Sequence, residues 1–241
     1  MNPNKTKGSH PLVLPKEHSK MSSHHFVKEL QEPALLIADG EQCQLALLEG
    51  LLEWSPLVVA LDGAFEKLVR LGVKVDYWLG DFDDINPELE KGNLGQDHVT
   101  IVRTPDQNKT DFEKGLDFLI AKDARSIHVL WATGKRMDHA LSNYASLTKY
   151  QNLAEIVVYN DYSKSFLLKP HFEKWYKKGE IISLMPLPKA GGVQTSGLKY
   201  GLDNEDLEWG LRLGTSNEVA SDGLVSIKHS SGHLLLIEAN D

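Results

Sequence analysis

The sequence has few or none of several features, and each absence argues against a class of protein. Its 241 residues include one cysteine, Cys43, which excludes an internal disulfide framework and fits a reducing compartment. It has no run of about eighteen apolar residues and no hydrophobic segment near its start, so we expect neither a membrane span nor a secretion signal. Lys and Arg number 26 against 34 Asp and Glu, which argues against general nucleic-acid binding, since that needs a basic face. We therefore expect a cytoplasmic protein with no membrane or nucleic-acid partner.

What is present is the composition of an ordinary globular protein, 41% hydrophobic and 25% charged, long enough for one large domain or two modest ones. Residues 1–32 are polar, mixed in charge and without a sustained period. Their histidines are irregularly spaced and lack Cys or acidic partners, so a metal site is disfavoured. We predict a poorly ordered N-terminal extension.

Short apolar runs alternate with helical patterns over residues 33–162. The runs are PALLIADG, LVVALDG, DYWLGD, VTIVR, SIHVLW and EIVVY. Between them, residues such as Phe65, Leu68 and Val69 recur at helical spacing. This alternation predicts an α/β fold with a parallel sheet in a three-layer domain, covered by helices on both faces. Ligands of such sheets bind beyond the carboxyl ends of the strands.

The helical period disappears over residues 163–241, where short β-prone runs are separated by Gly, Pro, Ser and Asn. We predict a C-terminal all-β domain, a sandwich or small barrel. The segment KHSSGH between two apolar runs predicts a β-hairpin. Tyr200 and the Thr215-Ser216-Asn217 segment are the most pocket-like residues of this region. The alternative interpretation is that they serve turns and fill the core.

Carboxylates are concentrated between Leu79 and Asp111. Asp81 and Asp83 are two apart on an extended segment, so their side chains can aim at one point beyond a strand end. Magnesium takes oxygen ligands, usually one or two carboxylates together with substrate phosphates and water. The pattern therefore predicts a metal-nucleotide site that is completed by its ligand.

The best-defined helix begins at Thr110. Thr110 and Glu113 form a capping-box pattern, and Asp111 falls in the first turn, where the helix dipole favours an anion. The alternative interpretation of Asp111 alone is that it only completes the cap. Asp106 and Gln107 lie just outside the helix and make the segment a candidate pocket wall.

The segment that follows SIHVLW is not a Walker motif. Val129 stands where the first glycine of G-x-x-x-x-G-K-[ST] belongs, and Arg136 follows Lys135. Arg136 is a candidate polyphosphate clamp, because a guanidinium donates two hydrogen bonds to phosphate at once. The alternative is an Arg136–Asp138 surface pair. We expect His139 to pack or to bond to backbone.

Taken together, six segments resemble the thiamine pyrophosphokinase family. In chain order they are Asp62-Gly63-Ala64, Gly80-Asp81-Phe82-Asp83-Asp84-Ile85, Pro105-Asp106-Gln107-Asn108-Lys109-Thr110-Asp111, Gly134-Lys135-Arg136-Met137-Asp138-His139, Ser196-Gly197-Leu198-Lys199-Tyr200 and Ser216-Asn217. Each motif alone is weak, but the ordered set, which covers roughly residues 34–240, is specific.

The resemblance implies a nucleotide-binding α/β domain (residues 33–162) followed by a thiamine-binding β-sandwich (residues 163–241). It also implies a homodimer with active sites between subunits. The implied reaction is the Mg2+-dependent transfer of the diphosphate of ATP to the hydroxyl of thiamine, giving thiamine diphosphate and AMP. The residues implied in catalysis are Asp81, Asp83, Asp111 and Arg136, of which the three aspartates would hold the metal. Those implied around ATP are Asp62, Gly63, Gly80, Asp106, Thr110, Arg136, Asp138 and His139. Those implied near thiamine are Gln107, Tyr200, Ser216 and Asn217.

Three residues depart from the family pattern. Asn108 replaces an Asp and removes one negative charge, and Asp84 replaces a Ser. Tyr200 replaces a Trp that packs on thiamine, and Trp offers the better face for a cation. Two other functions stay open: transfer to a different alcohol, such as a pterin, and nonenzymatic sensing of thiamine or nucleotide. The general base is either Asp111 or Asp83.

Overall fold

The computed structural model describes residues 33–54, 56–83 and 85–240. The extension predicted for residues 1–32 and the departure at Asp84 lie outside the described residues. Within the described part of the chain, no helix is long and apolar enough to cross a membrane.

The first part of the chain forms a parallel sheet with helices between its strands. The strands are β1 (Ala34–Ile37), β2 (Val58–Leu61), β3 (Tyr77–Gly80), β4 (Thr100–Arg103), β5 (Ser126–Leu130) and β6 (Glu155–Asn160). The helices are α1 (Leu45–Leu52), α2 (Ala64–Arg70), α3 (Pro87–Asn93), α4 (Asp111–Ala121) and α5 (Met137–Tyr150). The strand order is β4-β3-β2-β1-β5-β6, and all of these neighbours pair in parallel. Each apolar run of the sequence is a strand, so the predicted α/β fold is confirmed.

Both faces of this sheet are buried. Successive residues of a strand point to opposite faces, so Leu36 packs in one cluster with Leu116 of α4. Leu35 packs in another, with Leu48 of α1 and Phe65 of α2. With the faces covered, the strand ends remain as the places where a ligand can reach the sheet.

A capping box fixes the start of α4, as the sequence predicts. The Glu113 backbone N–H donates to Thr110 Oγ1 at 3.2 Å, and the Thr110 N–H donates to Glu113 Oε2 at 3.1 Å. Two otherwise unpaired helix donors are thereby satisfied. This cap sets where the helix begins and therefore where Asp111 stands.

Replacing Thr110 with alanine is expected to lower the free energy of unfolding by about 1 kcal/mol, because the helix start loses its side-chain acceptor. Chemical denaturation of the two proteins measures the difference. Thr110→Ser keeps a hydroxyl at the cap and should retain most of the stability. Equal stability of Thr110→Ala and the unmodified protein would show that the cap contributes nothing.

The second part of the chain is all β. Its strands are β7 (Ser163–Leu167), β8 (His171–Tyr176), β9 (Ile181–Ser196), β10 (Glu205–Glu208), β11 (Gly214–Glu218), β12 (Gly223–Lys228) and β13 (Ser231–Ala239). They enclose a core cluster of their own, which includes Tyr176, Ile182, Val225 and Leu236. β6 pairs antiparallel with β7, and β7 with β13, so hydrogen-bonded pairing continues from the parallel sheet into this part.

The hairpin predicted at KHSSGH is wrong. β12 and β13 do not pair with each other, and both run antiparallel along β9 in one continuous register, Lys228 opposite Gln194 and Ser231 opposite Gly191. The Ser230 N–H donates to the Gly191 carbonyl at 2.9 Å. The segment is therefore a bend within one long strand. Turn-forming residues serve such a corner as well as they serve a reversal of the chain.

Candidate active site

A cavity of about 640 Å3 lies at the carboxyl ends of the parallel strands. It opens beside β1 and β5, between which the strand order changes direction, and such a reversal creates a crevice where α/β proteins bind ligands. The residues around it are Ala38, Asp39, Gly40, Leu61, Asp62, Thr110, Asp111, Phe112, Trp131, Ala132, Gly134, Lys135, Arg136, Asp138, His139, Ser142 and Asn143. Segments that are distant in the sequence thus meet where the fold rule places a ligand.

Three carboxylates gather near this cavity. The pKa of Asp62 is raised to about 7, first because the carboxyl group is partly buried. The charge and the hydrogen bond of Asp111 and the charge of Asp81 raise this pKa further. The charge of Lys114 opposes this rise. Asp62, Asp81 and Asp111 come from three strand-to-helix connections, and the sequence placed all three in the site. The closeness of these acidic groups, which raises the Asp62 pKa, is a repulsion that a bound cation would relieve.

Gly80 leaves space for the Asp62 carboxylate. A Cβ at Gly80 would overlap Asp62 Oδ1 and come within 3.1 Å of the Phe82 ring. Its role in the structure is therefore to let the Asp62 carboxylate approach the end of β3. Gly63 is similar, since a Cβ there would come 2.9 Å from Asp39 Oδ2.

The loop after β3 and the loop before α4 contact each other. Asp81 accepts weak hydrogen bonds from the Asp83 N–H at 3.4 Å and from Gln107 Nε2 at 3.5 Å. Asp106 accepts from the backbone and the side-chain amide of Asn108 at 2.9 and 3.1 Å, and these bonds lower its pKa. The Asn108 departure thus places a hydrogen-bond donor beside Asp106 where a second carboxylate would repel it.

Arg136 and Asp138 are paired at the start of α5. Arg136 Nε donates to Asp138 Oδ1 at 3.1 Å, and both side chains are exposed. The hydrogen bond from Arg136 is the main cause that lowers the Asp138 pKa to about 2. Both residues line the cavity, so the pair is held at its wall. His139 is exposed there as well, so the expectation that it packs is wrong: its place in the first turn of α5 faces it outward.

Several residues around the cavity were not predicted. Asp39 forms an ion pair with Lys67 of α2, and Asn143 Nδ2 donates to the Ala132 carbonyl at 2.8 Å. Buried Trp131 also lines the cavity. The available signal for Asp39 was the Asp39-Gly40 pair after the first apolar run, since the same pattern recurs one strand later as Asp62-Gly63.

Four residues near the strand ends have left-handed backbone conformations: φ is 38° at Asp62, 57° at Phe82, 57° at Trp131 and 49° at Lys135. Such conformations are uncommon outside glycine and cost of order 1 kcal/mol or more each. Asp62, Trp131 and Lys135 line the cavity. Backbone strain is thus concentrated around this crevice.

The predicted thiamine residues of the β region are not among those that line the cavity. Asn217 is buried, and its side-chain amide is hydrogen-bonded to the backbone of Tyr200. Asn217 Oδ1 accepts from the Tyr200 N–H at 3.1 Å, and Asn217 Nδ2 donates to the Tyr200 carbonyl at 2.7 Å. Tyr200 itself is 65% exposed. Ser216 is exposed, and its N–H donates to Ser183 Oγ at 2.9 Å. Asn217 therefore fixes the place from which the Tyr200 ring projects.

A second cavity, of about 490 Å3, lies at the opposite, amino end of β6. Two of its polar side chains are already engaged: Arg125 Nη1 donates to the Leu153 carbonyl at 3.4 Å, and Gln151 Nε2 donates to the Leu168 carbonyl at 2.8 Å. It lacks the gathered charge of the first cavity.

The donor set at the strand ends suits a hard cation. Asp81, Asp83 and Asp111 offer only oxygen, and Asp62 lies close enough to Asp81 and Asp111 for their charges to raise its pKa. In the described ranges, no three His, Cys, Asp or Glu side chains form a ready-made ion site. Magnesium needs no such cage, because it commonly keeps water and takes substrate phosphates as ligands.

The fold and the site define an α/β enzyme whose candidate active site lies at a topological switch point. Two family models match the chain: "Thiamin pyrophosphokinase, catalytic domain" over residues 48–158, and "Thiamin pyrophosphokinase, vitamin B1 binding domain" over residues 170–234. The chain belongs to the thiamin pyrophosphokinase family, and the resemblance found in its motifs is confirmed.

Individual relatives agree with the family. Thiamine pyrophosphokinase 1 of Oryza sativa subsp. japonica is 30% identical over 64% of this chain and 62% of its own length, so the match spans less than two thirds of that relative. Thiamin pyrophosphokinase 1 of Caenorhabditis elegans is 29% identical over 75% of this chain and 78% of its own. The crystal structure of thiamine pyrophosphokinase from Bacillus subtilis has the same fold, with a TM-score of 0.73, 22% identity, and coverage of 87% of this chain and 99% of that one.

Proposed function

We propose that this protein transfers the β,γ-diphosphate of ATP to the hydroxyl oxygen of thiamine, giving thiamine diphosphate and AMP. The observation that carries the proposal is the gathering of Asp62, Asp81 and Asp111 beside one cavity at the strand ends, in a chain of this family. A site for a polyphosphate and its cation needs such a concentration of hard oxygen ligands beside cationic donors.

In the proposed reaction the thiamine hydroxyl oxygen attacks the β-phosphorus. The bond between that phosphorus and the oxygen bridging it to the α-phosphate breaks, and AMP leaves with the bond electrons. The protein would mainly hold the reactants in line and neutralise developing charge. Arg136, which lines the cavity, would bind phosphate oxygens. The hydroxyl proton would pass to Asp111 or Asp83.

The proposed cofactor is magnesium, held by Asp81, Asp83 and Asp111. When bound, it would polarise the phosphate oxygens and offset their charge. The proposed ATP-binding residues are Asp62, Gly63, Gly80, Asp106, Thr110, Arg136, Asp138 and His139.

We propose further that the protein works as a cytoplasmic homodimer. The support is that Tyr200, Ser216 and Asn217 are not among the residues around the cavity of their own chain. A partner copy would bring these thiamine residues to the nucleotide site, with Gln107 from the first chain beside them.

The direct test is to mix the protein with thiamine, ATP and MgCl2 and to measure AMP and thiamine diphosphate. Formation of both, dependent on thiamine and on Mg2+, would support the proposal. Competition between thiamine and a pterin alcohol shows which of the two is the acceptor. If the pterin alcohol is the better substrate, it replaces thiamine as the acceptor in the proposal. Thiamine or ATP binding without any AMP would instead favour a sensor.

Replacing Tyr200 with tryptophan is expected to lower the KM for thiamine by up to about twofold at unchanged kcat. A whole cation–π contact is worth about 0.5–1 kcal/mol at an exposed site, and the better face of Trp adds a fraction of that over Tyr. Steady-state kinetics with thiamine as the varied substrate measures the change. Tyr162→Trp is the matched control, since Tyr162 is 78% exposed in the β6–β7 turn. An unchanged KM in Tyr200→Trp would remove this residue from the thiamine site.

A further inference from the structure

A lysine lies buried against the acidic group of the candidate site. Lys114 is on α4, one turn after Asp111, and its Nζ is 2.9 Å from Asp111 Oδ1. Its side chain is 6% exposed, whereas the other lysines in ion pairs of the described residues expose at least 16%. Burying a charge is costly unless an opposite charge compensates it.

Lys114 is also the one cationic side chain, within the ranges that the structure describes, that forms an ion pair with Asp62, Asp81 or Asp111. Two other cations line the cavity: Arg136 is engaged by Asp138, and Lys135 Nζ lies 3.5 Å from the Asp39 carbonyl oxygen. The balance of charge around the three carboxylates therefore depends on Lys114.

We propose that Lys114 is a positioning residue, a resident counter-charge that holds these carboxylates together before the metal-nucleotide complex arrives. The inference rests on the proposed function. A fixed positive charge beside Asp111 repels an incoming cation, so it weakens the binding of Mg2+ to the free protein. Binding then depends on the phosphates that arrive with the ion, which couples the metal to the nucleotide.

The test is thermal unfolding of the full chain without nucleotide, first in EDTA and then over a MgCl2 titration. Lys114→Met removes the charge and keeps a long apolar stem. We expect a lower Tm in EDTA, because the carboxylates are left to repel one another. We also expect a half-saturating Mg2+ concentration at least about tenfold lower than for the unmodified protein, because the competing charge is gone.

Two variants separate charge from packing. Lys114→Arg keeps the charge and should retain the weak response to Mg2+. Lys149→Met removes the cation paired with buried Glu113, the neighbour of Lys114 in the same helix. That variant should lose stability that Mg2+ does not restore. If Lys114→Met does not fold, Lys114→Gln, which keeps a polar head, provides the same titration.

The inference is overturned if the uncharged Lys114 variants respond to Mg2+ as the unmodified protein does, or if Lys114→Arg responds as they do. AMP formation by the unmodified protein tests the proposed function separately. An active enzyme with an unaltered Mg2+ response in the variants would overturn only the role of Lys114. A tighter Mg2+ response in a protein that forms no AMP would leave that role standing and overturn the function.

Discussion

Asp81→Asn is expected to lower AMP formation by roughly a hundredfold or more, because the proposed function makes Asp81 a metal ligand and metal ions supply several kcal/mol of transition-state stabilisation. The fold should survive. Asp81 accepts only two weak hydrogen bonds, at 3.4 and 3.5 Å, and its charge adds to the repulsion within the acidic group. We expect a Tm equal to or above that of the unmodified protein.

The matched control is Asp123→Asn, the same chemical change just past the other end of α4. Asp123 is exposed and has a φ of 62°, which asparagine accepts readily. It should keep full activity. Initial rates of AMP formation and thermal unfolding of both variants are the measurements. Near-normal turnover by Asp81→Asn would rule out its role as a metal ligand.

Gly80→Ala is expected to reduce activity at least about tenfold and to cost roughly 1–3 kcal/mol of stability, as overpacking does. The added methyl group would overlap the Asp62 carboxylate and press on the Phe82 ring. The carboxylate must then leave its place beside Asp111. Kinetics with ATP and Mg2+ as the varied ligands, together with chemical denaturation, measure both effects.

A double-mutant cycle identifies the contact through which Gly80→Ala lowers activity and stability. In an Asp62→Ala background the overlap with the carboxylate is gone, so Gly80→Ala should cost less than it does alone. Strictly additive costs would contradict this explanation. Gly50→Ala is the control, because among the described residues nothing beyond its chain neighbours and the adjacent backbone of its own helix lies within 4 Å of a Cβ there. In the middle of α1 it should add up to about 1 kcal/mol of stability and leave activity unchanged.

Much of the α/β region follows from local rules. The Thr110 and Glu113 pattern fixed the start of α4, and the apolar runs marked the strands. Because parallel strands present their carboxyl ends at one edge, Asp81 and Asp111 could be expected at one site from the sequence, whereas Asp62 was predicted there only from the family resemblance. The motifs identified the family because their order is specific even though each one is short.

The remainder depends on tertiary contacts that no short segment encodes. KHSSGH has the composition of a turn, but whether its flanking strands pair with each other or with β9 is decided by distant residues. Lys114 reads as a polar helix residue, and only the packing of α4 buries it beside Asp111. Asn217 was placed with the thiamine residues, whereas both ends of its amide are bonded to the backbone of Tyr200.

The left-handed conformation of Lys135 also bears on how this protein would respond to selection for heat resistance. Lys135 is exposed, so glycine or asparagine there would relax the backbone without loss of core packing, and a screen that rewards only survival at high temperature would favour those replacements. The same changes would remove a cation from the cavity wall. Phe82 and Trp131 are buried, and their aromatic side chains contribute more stability than backbone relief would return. Libraries aimed at thermostability should therefore leave these three codons fixed and seek their gains on the outer faces of the helices.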